Sequence, residues 1–117
     1  MEVHAITKNV RMSAQKMREV VRKIQGLPAA HAQAVLAVVP RKGARLVAKT
    51  LKSAVANAED LKEHKKEYSG MKTDQLVVKE ALAQTASTLR RFTPQARGSA
   101  GPILKRNCHI KIVLSDE

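Results

Sequence analysis

Residues 88–110 read TLRRFTPQARGSAGPILKRNCHI, and where this stretch can be placed decides how the chain folds. Gly98, Gly101 and Pro102 fall within five positions, Arg90, Arg91, Arg97, Lys105 and Arg106 supply positive charge, and no carboxylate occurs from Ala81 to Ser115. Glycine and proline at this density break helices, and the segment has little to bury. Its flanks look extended. DQLVVKEALAQ (74–84) is expected to be a strand with Leu76, Val78 and Leu82 on one face, and NCHIKIVLS (107–115) another with Ile110 and Ile112 alternating against Lys111 and Val113. Two strands joined by a long, turn-rich, cationic connection make a hairpin whose outer part cannot reach the core. Residues 83–106 are therefore expected to form a protruding arm that finds its order outside the protein.

Upstream, EVHAITKNV (2–10) has the alternation of a first strand. Ser13 is suited to cap a helix over SAQKMREVVRKIQG, with Ala14, Met17, Val21 and Ile24 on one face and Gly26 as the stop. AAHAQAVLAVV follows Leu27 and Pro28 as a short alanine-rich helix that ends before Pro40. From Arg41 to His64 the residues Ala44, Val47, Ala48, Leu51, Val55, Ala58 and Leu61 keep the helical period, which predicts a third helix. The fold class is thus α+β: three helices packed on a small three-stranded antiparallel sheet, with a long extended β-hairpin. At 117 residues the chain is most simply one domain, residues 1–117. Seventeen alanines, one Phe, one Tyr and no Trp imply close helix packing in place of aromatic layers.

Charge narrows the function. Residues 1–58 hold eleven basic residues against two acidic, residues 59–80 are nearly balanced, and residues 81–115 hold six basic residues and none acidic, for a net charge of +12 overall. Two basic blocks repel each other unless a polyanion neutralises them, and nucleic acid is the commonest such partner. On the third helix Lys42, Arg45, Lys49 and Lys52 recur at spacings of three, four and three, a stripe away from the apolar face. The first helix adds Lys16, Arg18, Arg22 and Lys23 against Glu19 alone. No apolar run is long enough to span a membrane and MEVHAITKNVR lacks a secretory h-region, so a cytoplasmic protein without a membrane partner is expected. With Cys108 as the sole cysteine, an internal disulfide is impossible.

Sharper motifs fail on context. Ser13-Ala14-Gln15-Lys16 has the S-x-x-K spacing of serine acyl-transfer enzymes, but the companion S-D-N and K-T-G elements are missing and a helix cap accounts for Ser13. Gly98-Ser99-Ala100-Gly101 has the spacing of a KH-type backbone clamp, yet that clamp joins helices and these flanks are extended. His4, His31, His64 and His109 have no helical i, i+4 partner, so neither a metal nor any cofactor is expected. Phe92 and Tyr68 are too far apart in sequence for a stacking platform. What remains is recognition of backbone and shape by cations, with Arg90, Arg91 and Arg97 placed for bidentate phosphate contacts, Gly98 permitting close approach, and His109 near the nucleic acid.

Three stretches carry a resemblance. LRRFTPQARGSAGPILKRNCHIKIVLSD is similar to the hairpin and final strand of the large-subunit ribosomal protein twenty-two family, whose pattern runs approximately K-R-x-x-P-R-A-x-G-R-A-x-x-I-x-K-R-x-x-H-I. VRMSAQKMREVVRKIQG resembles that family's R-x-S-x-x-K-x-R-x-V-x-x-x-I-R-G helix, and LKSAVANAED its L-x-S-A-x-A-N-A-E segment. Together they span nearly the whole chain in the family's order. The resemblance implies a structural, non-enzymatic constituent of the large ribosomal subunit that binds 23S-type ribosomal RNA and supports assembly. It also implies that the hairpin tip, Arg90, Arg91, Phe92, Thr93, Pro94, Gln95, Ala96 and Arg97, lines the nascent-chain exit tunnel. Expected partners are ribosomal RNA, neighbouring large-subunit proteins and the nascent chain, without homo-oligomerisation. The rRNA-binding residues expected from charge and position are Lys8, Arg11, Lys16, Arg18, Arg22, Lys42, Arg45, Lys49, Lys52, Arg90, Arg91, Arg97, Gly98, Lys105, Arg106, His109 and Lys111. Gln95, Ser99 and Pro102 depart from the family pattern, as does Glu80–Thr85 where D-E-G-P is usual, leaving a less charged tip. Charge alone would also suit a general DNA-binding or nucleoid-associated protein, the alternative reading.

Overall fold

The computed structural model describes residues 1–116. Its elements are β1 (Glu2–Val10), α1 (Ala14–Val21), α2 (Ala29–Val38), α3 (Lys42–His64), β2 (Val77–Thr85), β3 (Leu89–Pro94), β4 (Ala100–Lys105) and β5 (Cys108–Ser115). The fold is α+β. One antiparallel sheet has the order β1-β5-β2, and a separate two-stranded antiparallel sheet is the β3-β4 hairpin. The protein measures 67 × 28 × 16 Å.

Strand β5 lies in the centre, bonded to β1 on one edge and β2 on the other. Its alternate side chains Cys108, Ile110, Ile112 and Leu114 are fully buried and form the core with Val47, Leu51 and Ala54 of α3 and Met17, Val20 and Ile24 in and after α1. The chain needs small residues to close this core. A Cβ on Gly43 would meet Met12, Met17 and Val20 side-chain atoms at 3.2 Å each, so α3 approaches α1 at a point where only glycine fits without displacement. Thr50, buried on α3, hydrogen-bonds the Thr7 hydroxyl at 2.7 Å and donates to the Leu46 carbonyl at 3.1 Å, which pins α3 to β1 without an unpaired hydroxyl.

Ser13 caps α1, its hydroxyl accepting from the Lys16 N–H at 3.3 Å. The helix is shorter than its sequence period suggests, because after Val21 the chain turns to fasten on β2. The Gly26 N–H donates to the Val78 carbonyl at 2.8 Å, the Val78 N–H to the Leu27 carbonyl at 2.9 Å, and Gly26 sits at φ +80°. Arg18 Nε donates to the Ala83 carbonyl at 3.1 Å and Gln25 to the Ala81 carbonyl at 2.6 Å. The open edge of β2 is thus covered by α1 and its turn, the usual protection against edge pairing.

One expectation is corrected. Leu82 does not face the core with Val78: it is 36% exposed, while Ala81 and Ala83 are buried. The register shifts between Val78, opposite Leu114, and Glu80, opposite Val113, so Lys79 is an extra residue that inverts the alternation beyond it. Leu82 then lies opposite Lys111 on the sheet face turned away from the helices. Val113, expected on the polar side, is also buried, though outside the main core.

Burial pushes the Cys108 thiol above its ordinary pKa, with nearby Arg18 acting weakly the other way. In the native protein Cys108 should resist a thiol reagent at pH 8 and react stoichiometrically once unfolded in guanidinium. The bulge makes a second testable statement: Leu82→Lys should change the urea unfolding free energy by no more than about 0.5 kcal/mol, whereas Ala81→Leu, which overpacks the core, should cost about 1–3 kcal/mol.

Candidate nucleic-acid interface

The arm is a ladder with no core beneath it. Its pairs run from Leu89 opposite Lys105 through Arg91 opposite Ile103 to Pro94 opposite Ala100. The turn is closed by the Gln95 N–H donating to the Ser99 carbonyl at 2.8 Å, with Arg97 at φ +60° and Gly98 at φ +75°. The apex is therefore residues 95–99, and Arg90 to Pro94 form one leg. Opposed residues share a face of the ribbon, so Arg91 and Lys105 mark one side and Arg90, Phe92 and Leu104 the other. Phe92 is 74% exposed, as no core side chain of its size would be. A lone two-stranded hairpin is marginally stable in water, so the ribbon has a defined register but little of its own to hold it rigid.

Body and arm meet at a neck stitched by Asn107. Its carbonyl accepts the Ala86 N–H at 3.1 Å, and its side-chain Nδ2 donates to the Ser87 carbonyl at 2.9 Å. Arg11 and Lys42 gather there. Arg11 Nη1 donates to the Arg106 carbonyl at 2.8 Å, and Lys42 Nζ to the Arg11 carbonyl at 3.2 Å. Arg11, Lys16, Lys42 and Arg106 consequently surround one open hollow of about 640 Å³, which Leu104 also lines. A smaller hollow of about 280 Å³ adjoins it, lined by Ser13, Gln15, Arg18, Thr85, Arg106 and Asn107. Asn107 is 8% exposed, and its Oδ1 is buried without a hydrogen-bond partner. A buried acceptor left unpaired costs about 1–3 kcal/mol.

From the first hollow Arg45, Lys49 and Lys52 continue along the exposed side of α3, and Lys42 and Arg45 also line a hollow at the turn from α2 to α3. Arg22 stands one turn beyond Arg18. The structure does not bring all the expected residues to one surface. His109 and Lys111 lie on the sheet face turned away from the helices, and Lys8 is exposed in a bulge of β1. His109 Nδ1 already accepts the Asn9 N–H at 3.0 Å, where Asn9 adopts φ +56°, so this ring secures the bulge and keeps only its other nitrogen for a ligand.

What unites these cations, among the described residues, is the lack of a carboxylate partner. Among the described residues the ion pairs join the Met1 ammonium to Asp116, Arg41 to Glu19, His64 to Asp60 and Lys79 to Glu2. None involves the expected RNA-binding lysines and arginines. Asp116 is held below the ordinary carboxylate range by its hydrogen bond to the Met1 ammonium, and Glu2 by its hydrogen bond to Lys79. Asp116 and Glu2 thus serve to fix the N-terminus and the start of β1, and Glu19 is taken by Arg41.

The family described as ribosomal protein L22p/L17e matches residues 5–115. The chain belongs to this family. It is 50% identical over 116 residues to the large ribosomal subunit protein uL22 of Opitutus terrae, covering 99% of this chain and 96% of that one. The protein of the same name from Akkermansia muciniphila is 47% identical over 117 residues, covering 100% and 98%, and that of Methylacidiphilum infernorum 45% over 117 residues, covering 100% and 96%. L22p/L17e membership makes the chain a structural, non-enzymatic protein, and the S-x-x-K spacing at Ser13 is the helix cap seen in the structure.

Asn107 and the small hollow beside it were missed in the sequence. The only signal was a polar residue directly before an apolar strand, which reads equally well as a strand boundary. Because the arm has no core, residues 89–105 of the free protein should exchange their amides within minutes while β5 remains protected. Deleting Arg91–Gly98 should leave the thermal midpoint of the body within about 2 °C.

Proposed function

We propose that this protein is a constituent of the large ribosomal subunit that binds ribosomal RNA through its arm, its neck and the basic side of α3, and that supports subunit assembly in the cytoplasm. The observation that carries this reading is a set of exposed cations with no carboxylate partner among the described residues, continued onto a hairpin with no core. Guanidinium and ammonium groups at this density are neutralised by phosphate, and counterion release then drives association. The relatives' shared name supports the choice of ribosome over other nucleic acid assemblies.

Arg11, Lys16, Arg18, Lys42 and Arg106 hold the strand that enters the neck. Arg45, Lys49, Lys52 and Arg22 extend the contact over the helices, and Lys8, His109 and Lys111 take a separate strand on the outer sheet face. Arg90, Arg91, Arg97, Gly98 and Lys105 thread the arm through folded RNA. Its outer part, from Phe92 on one leg to Arg97 in the apex, lines the nascent-chain tunnel, where exposed apolar and weakly charged side chains meet the emerging polypeptide and neighbouring large-subunit proteins.

In competition at matched salt, structured large-subunit RNA should displace duplex DNA from the protein; the reverse order would make it a general DNA binder. Replacing Arg45, Lys49 and Lys52 together by glutamine should flatten the dependence of log K on log salt by about 2–3. A photocrosslinker at position 92 in intact ribosomes should capture nascent chain and tunnel-wall RNA, and capture of neither would remove the tunnel assignment.

A further inference from the structure

The smaller hollow at the neck has a chemistry of its own. Its walls carry two cations, Arg18 and Arg106, and the head of α1. Arg18 is held in place through its Nε bond to Ala83, leaving the rest of its guanidinium for another acceptor. Ser13 takes the Lys16 N–H, which leaves the other first-turn amides of α1 to their surroundings. These groups ask for an anion. Asn107 asks for the opposite: its Oδ1 is an acceptor, buried and unpartnered. The amide cannot resolve this by turning over, because Nδ2 donates to the Ser87 carbonyl at 2.9 Å and a flip would set two oxygens against each other.

A ligand that satisfies both sides must carry a hydrogen-bond donor next to a phosphate. Within a nucleic acid strand, a phosphodiester oxygen and the deoxyribose of DNA offer acceptors only; free inorganic phosphate keeps a P–OH donor, but a single tetrahedral ion has to span both Asn107 and the two guanidinium groups. Ribose offers the 2′-hydroxyl, a donor adjacent to the phosphate of the same nucleotide. We infer that this hollow seats one ribose–phosphate unit of an RNA strand, with the phosphate against Arg18 and Arg106 and the 2′-hydroxyl donating to Oδ1 of Asn107. The inference rests on the proposed RNA-binding role and adds to it the point at which the protein distinguishes RNA from DNA. Gln15 and Arg106, which line the hollow together with Asn107, are both exposed and carry long side chains. Occupation also fastens the neck, since the amide that reads the sugar is the one that ties β5 to Ser87.

The test uses the full chain and large-subunit RNA transcripts carrying 2′-deoxynucleotides at random single positions. Bound and free fractions are separated, and the substituted positions mapped. With the wild-type protein, one position should weaken binding about threefold to tenfold when its 2′-hydroxyl is removed, the size of one hydrogen bond. That position should fall silent in Asn107→Ala. It should fall equally silent in Gln15→Trp, which fills the hollow from an exposed site and leaves the Asn107–Ser87 bond intact, so this variant decides the matter if Asn107→Ala folds poorly. Arg106→Gln should weaken binding to all transcripts and preserve the 2′-deoxy signal. If the wild-type binds the RNA and no 2′-deoxy position is lost in Gln15→Trp, the assignment is overturned while RNA binding stands; a base donor at Oδ1 would give this result. If the wild-type does not prefer the RNA to duplex DNA at matched salt, the functional reading itself fails.

Discussion

Strand β5 is paired along its whole length on both edges, and its inward side chains from Cys108 to Leu114 are sealed from solvent. A strand so placed cannot shift by one residue without turning every buried side chain outward. Its register therefore fixes what is attached to it. Through Asn107 it continues into β4, and through its pairing with β2 it sets the other leg, so the arm leaves the body in a direction determined by the core. The edge of β2 is closed by Gly26, Gln25 and Arg18, which means that α1 clamps the foot of the hairpin as well as packing on the sheet.

The division between body and arm follows from what each can bury. In the body, apolar side chains from three helices and three strands meet in one cluster. In the arm, Leu89, Phe92, Ile103 and Leu104 remain exposed beside arginines and lysines, and no carboxylate is near to neutralise them. Asp116 and Glu2 hold the N-terminus and β1 at the other end of the body, while Glu19 pairs with Arg41 beside Lys42. Such a polarised molecule is oriented by a polyanion before contact is made.

Much of the fold could be read from local pattern. Ser13, Gly26 and Pro40 mark boundaries by their own stereochemistry, and the helical period of Ala44, Val47, Leu51 and Ala58 places α3 and, on its reverse, the stripe from Lys42 to Lys52. Leu82 was misplaced because a bulge depends on the partner strand: nothing in VVKEALA announces that Lys79 will be left out of the ladder. The early end of α1 has a similar cause, a tertiary bond from Gly26 to Val78 that overrides a sequence pattern still helical through Ile24. At the interface, charge and spacing revealed the cations one by one but not their grouping. That Arg11, Lys16, Lys42 and Arg106 share a hollow, while His109 and Lys111 face elsewhere, follows from the topology. Asn107 was invisible because its importance lies in an unpaired oxygen, which only packing creates.

Where the hairpin leaves the body its two legs are bonded to each other, the Ala86 N–H and the Ser87 carbonyl both meeting Asn107. Their spacing is therefore set before the first rung of the outer ladder, as in a zip whose lowest teeth are already engaged, and Leu89 finds Lys105 without a search.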